Sequence, residues 1–121
     1  MVDARIQIRE LLKSISYDGL SVKMGFPKTV NKVPLITFFE IGNTNTAIPV
    51  RDYMALQIDV WEESFEKLMD LTQLTDEKMT GLGLKRDYVS PDSDTIDPSG
   101  YYRKVMRYSR HIDIRTNRLI D

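Results

Sequence analysis

The 121-residue chain contains no cysteine. Disulfides, zinc–thiolate sites and thiol nucleophiles are therefore excluded, and the composition fits a reducing compartment. A single histidine, His111, excludes a multi-histidine metal site. No apolar run approaches the ~18 residues that suggest a membrane span. The opening MVDARIQIRELLKSIS mixes charge into its apolar positions, so neither a secretory leader nor membrane contact is expected, and the chain is expected to be made and used in the cytoplasm or to leave it by a route other than secretion. There is no Walker phosphate loop and no GxGxxG, and the GLG at Gly81–Gly83 follows a helical pattern instead of joining a strand to a helix. A basic excess is also missing: 17 Lys and Arg against 18 Asp and Glu give a net charge of −1, which argues against a dedicated nucleic-acid binder.

What is present belongs to one ordinary globular domain over residues 1–121, with 41% hydrophobic and 29% charged residues. Ala4, Ile8, Leu11, Leu12 and Ile15 follow helical spacing, which predicts a helix from about Asp3 to Ser16 with Asp3 as N-cap. LSVKMGF reads as a short strand and PKTVNKVP as a loop. LITFFEI is β-branched and aromatic, a central strand, and GNTNTAIP reads as an exposed polar loop. Met54, Leu56, Ile58 and Val60 alternate with Ala55, Gln57, Asp59 and Trp61, the pattern of a half-buried strand. A second helix is predicted from Ser64 to Met79 on Phe65, Leu68, Met69, Leu71 and Met79, with Leu74 off that stripe and the GLG as its end. LKRDYV and the stretch DPSGYYRKVMRYSRHIDIR supply the last strands. The expected fold is α+β: a four- to five-stranded, mostly antiparallel sheet with two amphipathic helices on one face and the other face uncovered.

The chemistry-bearing candidates are few. His111 and Asp113 lie two apart on a strand and point the same way, a possible base and its orienter; one more polar pair on a solvated strand face is the plainer reading. Asp92, Asp94 and Asp97 crowd one loop but lack the glycine and closing glutamate of a calcium loop. Tyr101, Tyr102 and Tyr108 beside arginines invite an RNA-stacking reading, yet Tyr102 and Tyr108 share the even-numbered side with Met106, Ile112 and Ile114, a core face.

Charge is segregated although the total nearly cancels. Seven acids and two lysines lie between Asp59 and Thr80, while six bases and one acid lie between Tyr101 and Arg118. Glu63, Glu66, Asp70 and Glu77 share a stripe of the second helix, turned from the apolar side. Arg103, Arg107 and Arg115 share the odd-numbered face of the last strand, and Arg110 adds to its charge. Patches on opposite surfaces of one small domain can pair between copies, in a heterologous contact that closes a ring given the right rotation, or the acidic stripe is the ordinary charged solvent face of a helix and needs no partner. The alternative is a nucleic-acid-binding module built on the basic strand and its tyrosines.

Four segments add a resemblance: the N-terminal amphipathic helix, P-x-x-T-F-F-E-I from Pro34 to Ile41, I-D-V-W-E from Ile58 to Glu62, and G-Y-Y-R-K-V-M-R-Y from Gly100 to Tyr108. Together, over roughly Leu11 to Ile114, they resemble the tail completion and tail terminator proteins of long-tailed bacteriophages, which include head–tail joining proteins. The resemblance implies a virion structural protein without enzymatic activity or cofactor, assembled in the bacterial host cytoplasm. It implies a homo-oligomer, a hexameric ring at the head–tail junction, with the tail tube and head connector as partners and DNA passing through. The likeness carries no catalytic residues. Asn43, Asn45 and Arg51 in one polar loop, and Asp92, Asp94 and Asp97 in another, are its candidate docking positions.

Overall fold

Side-chain parity along one long strand organises the molecule. The computed structural model describes residues 4–45, 51–92, 96, 98 and 100–113. Their elements run α1 (Arg5–Lys13), β1 (Ser21–Met24), β2 (Leu35–Asn45), β3 (Arg51–Glu62), α2 (Phe65–Gly81), β4 (Lys85–Val89) and β5 (Tyr102–Asp113). The five strands form one mixed, mostly antiparallel sheet in the order β1-β2-β3-β5-β4. On β3, Met54, Leu56, Ile58 and Val60 face the helices and meet Ile36 and Phe38 of β2 and Met106, Tyr108 and Ile112 of β5. Ile8 and Leu12 of α1 and Leu68, Leu71 and Met79 of α2 close this core from one side. Each such aliphatic side chain contributes about 1.5–3 kcal/mol on burial. The α+β architecture with both helices on one face is as the periodicity predicts.

Both helices differ in detail from their sequence patterns. α1 is shorter than expected, ending at Lys13, and Asp3 lies outside the described residues. α2 starts where expected: the Ser64 hydroxyl accepts from the Lys67 amide at 3.3 Å. Its buried face is Leu68, Leu71, Thr72, Thr75 and Met79, so two threonines take places that hydropathy assigns to Phe65 and Met69. Thr75 is accommodated because its hydroxyl donates to the Leu71 carbonyl at 2.8 Å. Leu74, off the predicted stripe, is half-buried against the same core. The helix ends in a Schellman turn: Gly83 at φ +89° donates to the Thr80 carbonyl and Leu84 to that of Met79.

β1 pairs parallel to β2, because the ten residues 25–34 carry the chain back across the sheet before β2 begins, and the other pairings are antiparallel, as expected of a mostly antiparallel sheet. Two expectations about strands are corrected. GNTN is not loop: Gly42, Asn43, Thr44 and Asn45 continue β2 past a bulge between Glu40 and Gly42 and pair with Ala55, Met54, Tyr53 and Asp52. Arg51 likewise lies in β3, opposite Asp113. β3 is not half-buried; from Leu56 to Glu62 both of its faces are covered.

The helix-free sheet face as candidate functional site

The face away from the helices is not bare. The odd-numbered residues of β3 and β5 project onto it, and the register sets Trp61 opposite Arg103, Gln57 opposite Arg107 and Tyr53 opposite His111. Asp59 sits diagonally from Arg103 and is fully buried. Its Oδ1 accepts from the Arg103 Nε at 3.1 Å and Nη2 at 2.8 Å. The Gln57 amide donates to Asp59 Oδ2 at 3.2 Å, and its own oxygen accepts from the Arg107 Nε at 3.2 Å. A hydrogen-bonded spine thus runs across β3 and β5, each polar group met by another, which is what burial of a carboxylate requires.

Aromatic rings flank the spine. The Arg103 guanidinium lies over Trp61 at 5.0 Å and over Phe26 at 4.9 Å, while that of Arg107 lies 5.5 Å from the Tyr88 ring of β4. Trp61 donates its indole N–H to the Thr37 hydroxyl at 3.3 Å. Phe26 packs edge-on against Phe39 and Trp61, and Val30, Leu35 and Trp61 form a second small core. Residues 25–34 therefore roof one end of the face that the pattern leaves uncovered. Between Phe26–Asn31, Trp61 and Pro98 a cleft of about 480 Å³ remains.

The structure divides the predicted charged residues into two groups. Arg103 is neutralised within its own chain by Asp59, and Arg110 turns to the helix side, where its Nη1 donates to the Leu82 carbonyl at 2.6 Å. There it caps the negative end of the α2 dipole. Glu63 is paired with Lys67, which in turn has its pKa raised by that hydrogen bond. These pairings correct the expectation that the two charge groups meet only between copies. The exposed Arg107 bonds a neutral amide, and the exposed Glu66, Asp70 and Glu77 form no ion pair among the described residues. Asp92 is tied to the buried Lys104 of β5, so it is held rather than free, and Asn43, Asn45 and Arg51 are strand residues. Arg115, Asp94 and Asp97 lie outside the described residues.

Three further tests of the sequence reading concern aromatic and titratable groups. Tyr108 is fully buried and donates to Asp76 Oδ1 at 2.7 Å, which removes it as a stacking platform; Asp76 Oδ2 is bound by Arg86 at 2.7 Å. Burial and the Asp76 carboxylate push the Tyr108 pKa upward, and burial with Glu62, bonded at 2.5 Å, does the same for Tyr17. His111 is exposed and edge-on to Tyr53 at 5.2 Å, a cross-strand pair, and the side chain of Asp113, its expected orienter, lies outside what the structure describes. No group of three metal-ligating side chains occurs among the described residues. No helix among them is long and apolar enough to cross a membrane. No protein-family model and no curated protein matches the chain.

Proposed function

We propose that this chain is a non-enzymatic virion subunit, a tail completion or terminator protein that works by assembling into a ring at the head–tail junction of a long-tailed phage. The observation that carries the proposal is the carboxylate row Glu66, Asp70 and Glu77 on the exposed side of α2, which forms no ion pair among the described residues, with the exposed Lys23, Lys28 and Arg107 on the opposite layer. Two surfaces of opposite sign placed back to back favour head-to-tail contact between copies over pairing within one. The likeness of the strand motifs to tail completion proteins supports the same reading. In that role the ring receives the tail tube on one side and the head connector on the other, with DNA passing through its centre, and assembly takes place in the host cytoplasm.

Light scattering and negative-stain microscopy over a wide concentration range, at low and moderate salt, test this reading. Ring-shaped oligomers that weaken as salt rises are expected. A strict monomer at every concentration that also ignores purified tail tubes overturns it.

A further inference from the structure

With Arg103 and Arg110 engaged inside the chain, other cations are left to face a neighbour. From Gly19 to Phe39 the sequence carries Lys23, Lys28 and Lys32 and no acid. All three lysines are exposed, and none forms an ion pair among the described residues. Lys23 is paired in register with Thr37, whose side chain lies on the helix-free face, and Lys28 lines the cleft. Beside them Phe26 leaves 55% of its surface exposed although its ring is fixed by Phe39, Trp61 and Arg103. This lip is thus cationic, partly apolar and held in place, the composition of an interface anchor more than of an idle loop.

The matching surface is on the same chain. Glu66, Asp70 and Glu77 fall within a narrow arc of α2 at 100° per residue and span about 16 Å along its axis. Lys23 and Lys28 lie on the layer opposite the row, so they cannot meet it within one molecule. We propose that the α2 carboxylate row of one copy docks on the Lys23, Lys28 and Lys32 lip, beside Phe26, of a second copy. The partner is another molecule of this chain because its exposed carboxylates supply, on one helical stripe, the charge that the lip lacks. The contact is heterologous and leaves each copy with one free lip and one free row, so it propagates. This inference rests on the assembly reading and moves its basic half from β5 to the β1–β2 connection.

The absence of cysteine permits a site-specific test on the full chain. Variants K28C and D70C are mixed at a concentration where the protein associates and treated with a short bis-maleimide, alongside R107C with D70C. Covalent dimers from K28C with D70C, several-fold above those from R107C with D70C or from K28C alone, are the expected result. K28E/K32E is expected to weaken association about tenfold, and addition of an E66K/D70K partner to restore it. Cross-linking from R107C in place of K28C overturns the assignment of the lip and leaves the ring reading standing. No cross-link from any pair, with monomers throughout, overturns both.

Discussion

Replacing Arg103 by methionine isolates the charge at the centre of the helix-free face. Methionine keeps an apolar stem between Phe26 and Trp61 but leaves the Asp59 carboxylate, fully buried, with the Gln57 amide as its remaining partner in the spine. Removing one member of a buried ion pair costs about 3–5 kcal/mol. The Arg103 side chain is 25% exposed, so water reaches the site and the low end applies, about 3 kcal/mol. For a domain of this size that lowers Tm by roughly 10 °C or more. D59N, which removes the charge but keeps an amide contact, is expected to cost about 1–2 kcal/mol. In R103M/D59N no buried charge is stranded, so the double variant should cost about 2 kcal/mol less than the sum of the singles. Urea unfolding followed by the fluorescence of Trp61, the single tryptophan, reads all four proteins. If R103M costs under about 1 kcal/mol, or the two changes add within about 0.5 kcal/mol, the account of Asp59 as a carboxylate dependent on Arg103 is wrong.

Other expectations follow from the ends of α2 and from its link to β5. S64A removes the cap on the Lys67 amide and should cost about 1 kcal/mol in urea unfolding. G83A forces a Cβ onto a residue at φ +89° and should cost about 1–2 kcal/mol, mostly as faster unfolding of the α2–β4 junction. Tyr17 and Tyr108 hold their protons in the folded state past the ordinary tyrosine value near 10. The unfolded chain therefore loses protons first, so stability is intact below about pH 10 and declines as pH rises beyond it. Y108F should flatten that decline in alkaline urea titrations and cost about 1 kcal/mol at neutral pH through loss of the Asp76 bond.

Periodicity makes the α+β layers legible because burial on one side imposes a repeat of two on β3 and β5 and a helical repeat on α1 and α2. It fails where a polar residue is buried with a partner remote in sequence. Asp59 reads as a solvent position within QIDVWE, yet Arg103, forty-four residues on, allows its burial. The signal was an acid flanked by apolar residues in a strand, but its partner is visible only once β3 and β5 are in register. Thr75 is hidden for a related reason, since a threonine that bonds the preceding turn passes as apolar, whereas the Thr72 hydroxyl is buried with no hydrogen-bond partner among the described residues. The GNTN stretch looked like a turn because asparagine and glycine favour turns, whereas β3 supplies a cross-strand partner for each of its residues. Of the charge stripes, Glu66, Asp70 and Glu77 share one face of α2, whereas Glu63 precedes the Ser64 cap, Arg110 turns to the helix side and Arg115 lies outside the described residues. The partners of Arg103 and Arg110 within the chain, a diagonal carboxylate and a helix-end carbonyl, have no sequence signature.

The parallel seam between β1 and β2 gives the molecule two grades of stiffness. Strands β2, β3, β5 and β4 form an antiparallel block, while residues 4–24 adjoin its rim through four parallel pairings and the stripe of α1. Such a rim is expected to open as its own cooperative unit, its amides exchanging with solvent ahead of those at Ile58 or Met106. Lys23 belongs to this rim, whereas Lys28 and Lys32 sit on the connection that Phe26 pins to the antiparallel block through Phe39 and Trp61. Opening of the rim would therefore free Lys23 while Phe26 stays seated.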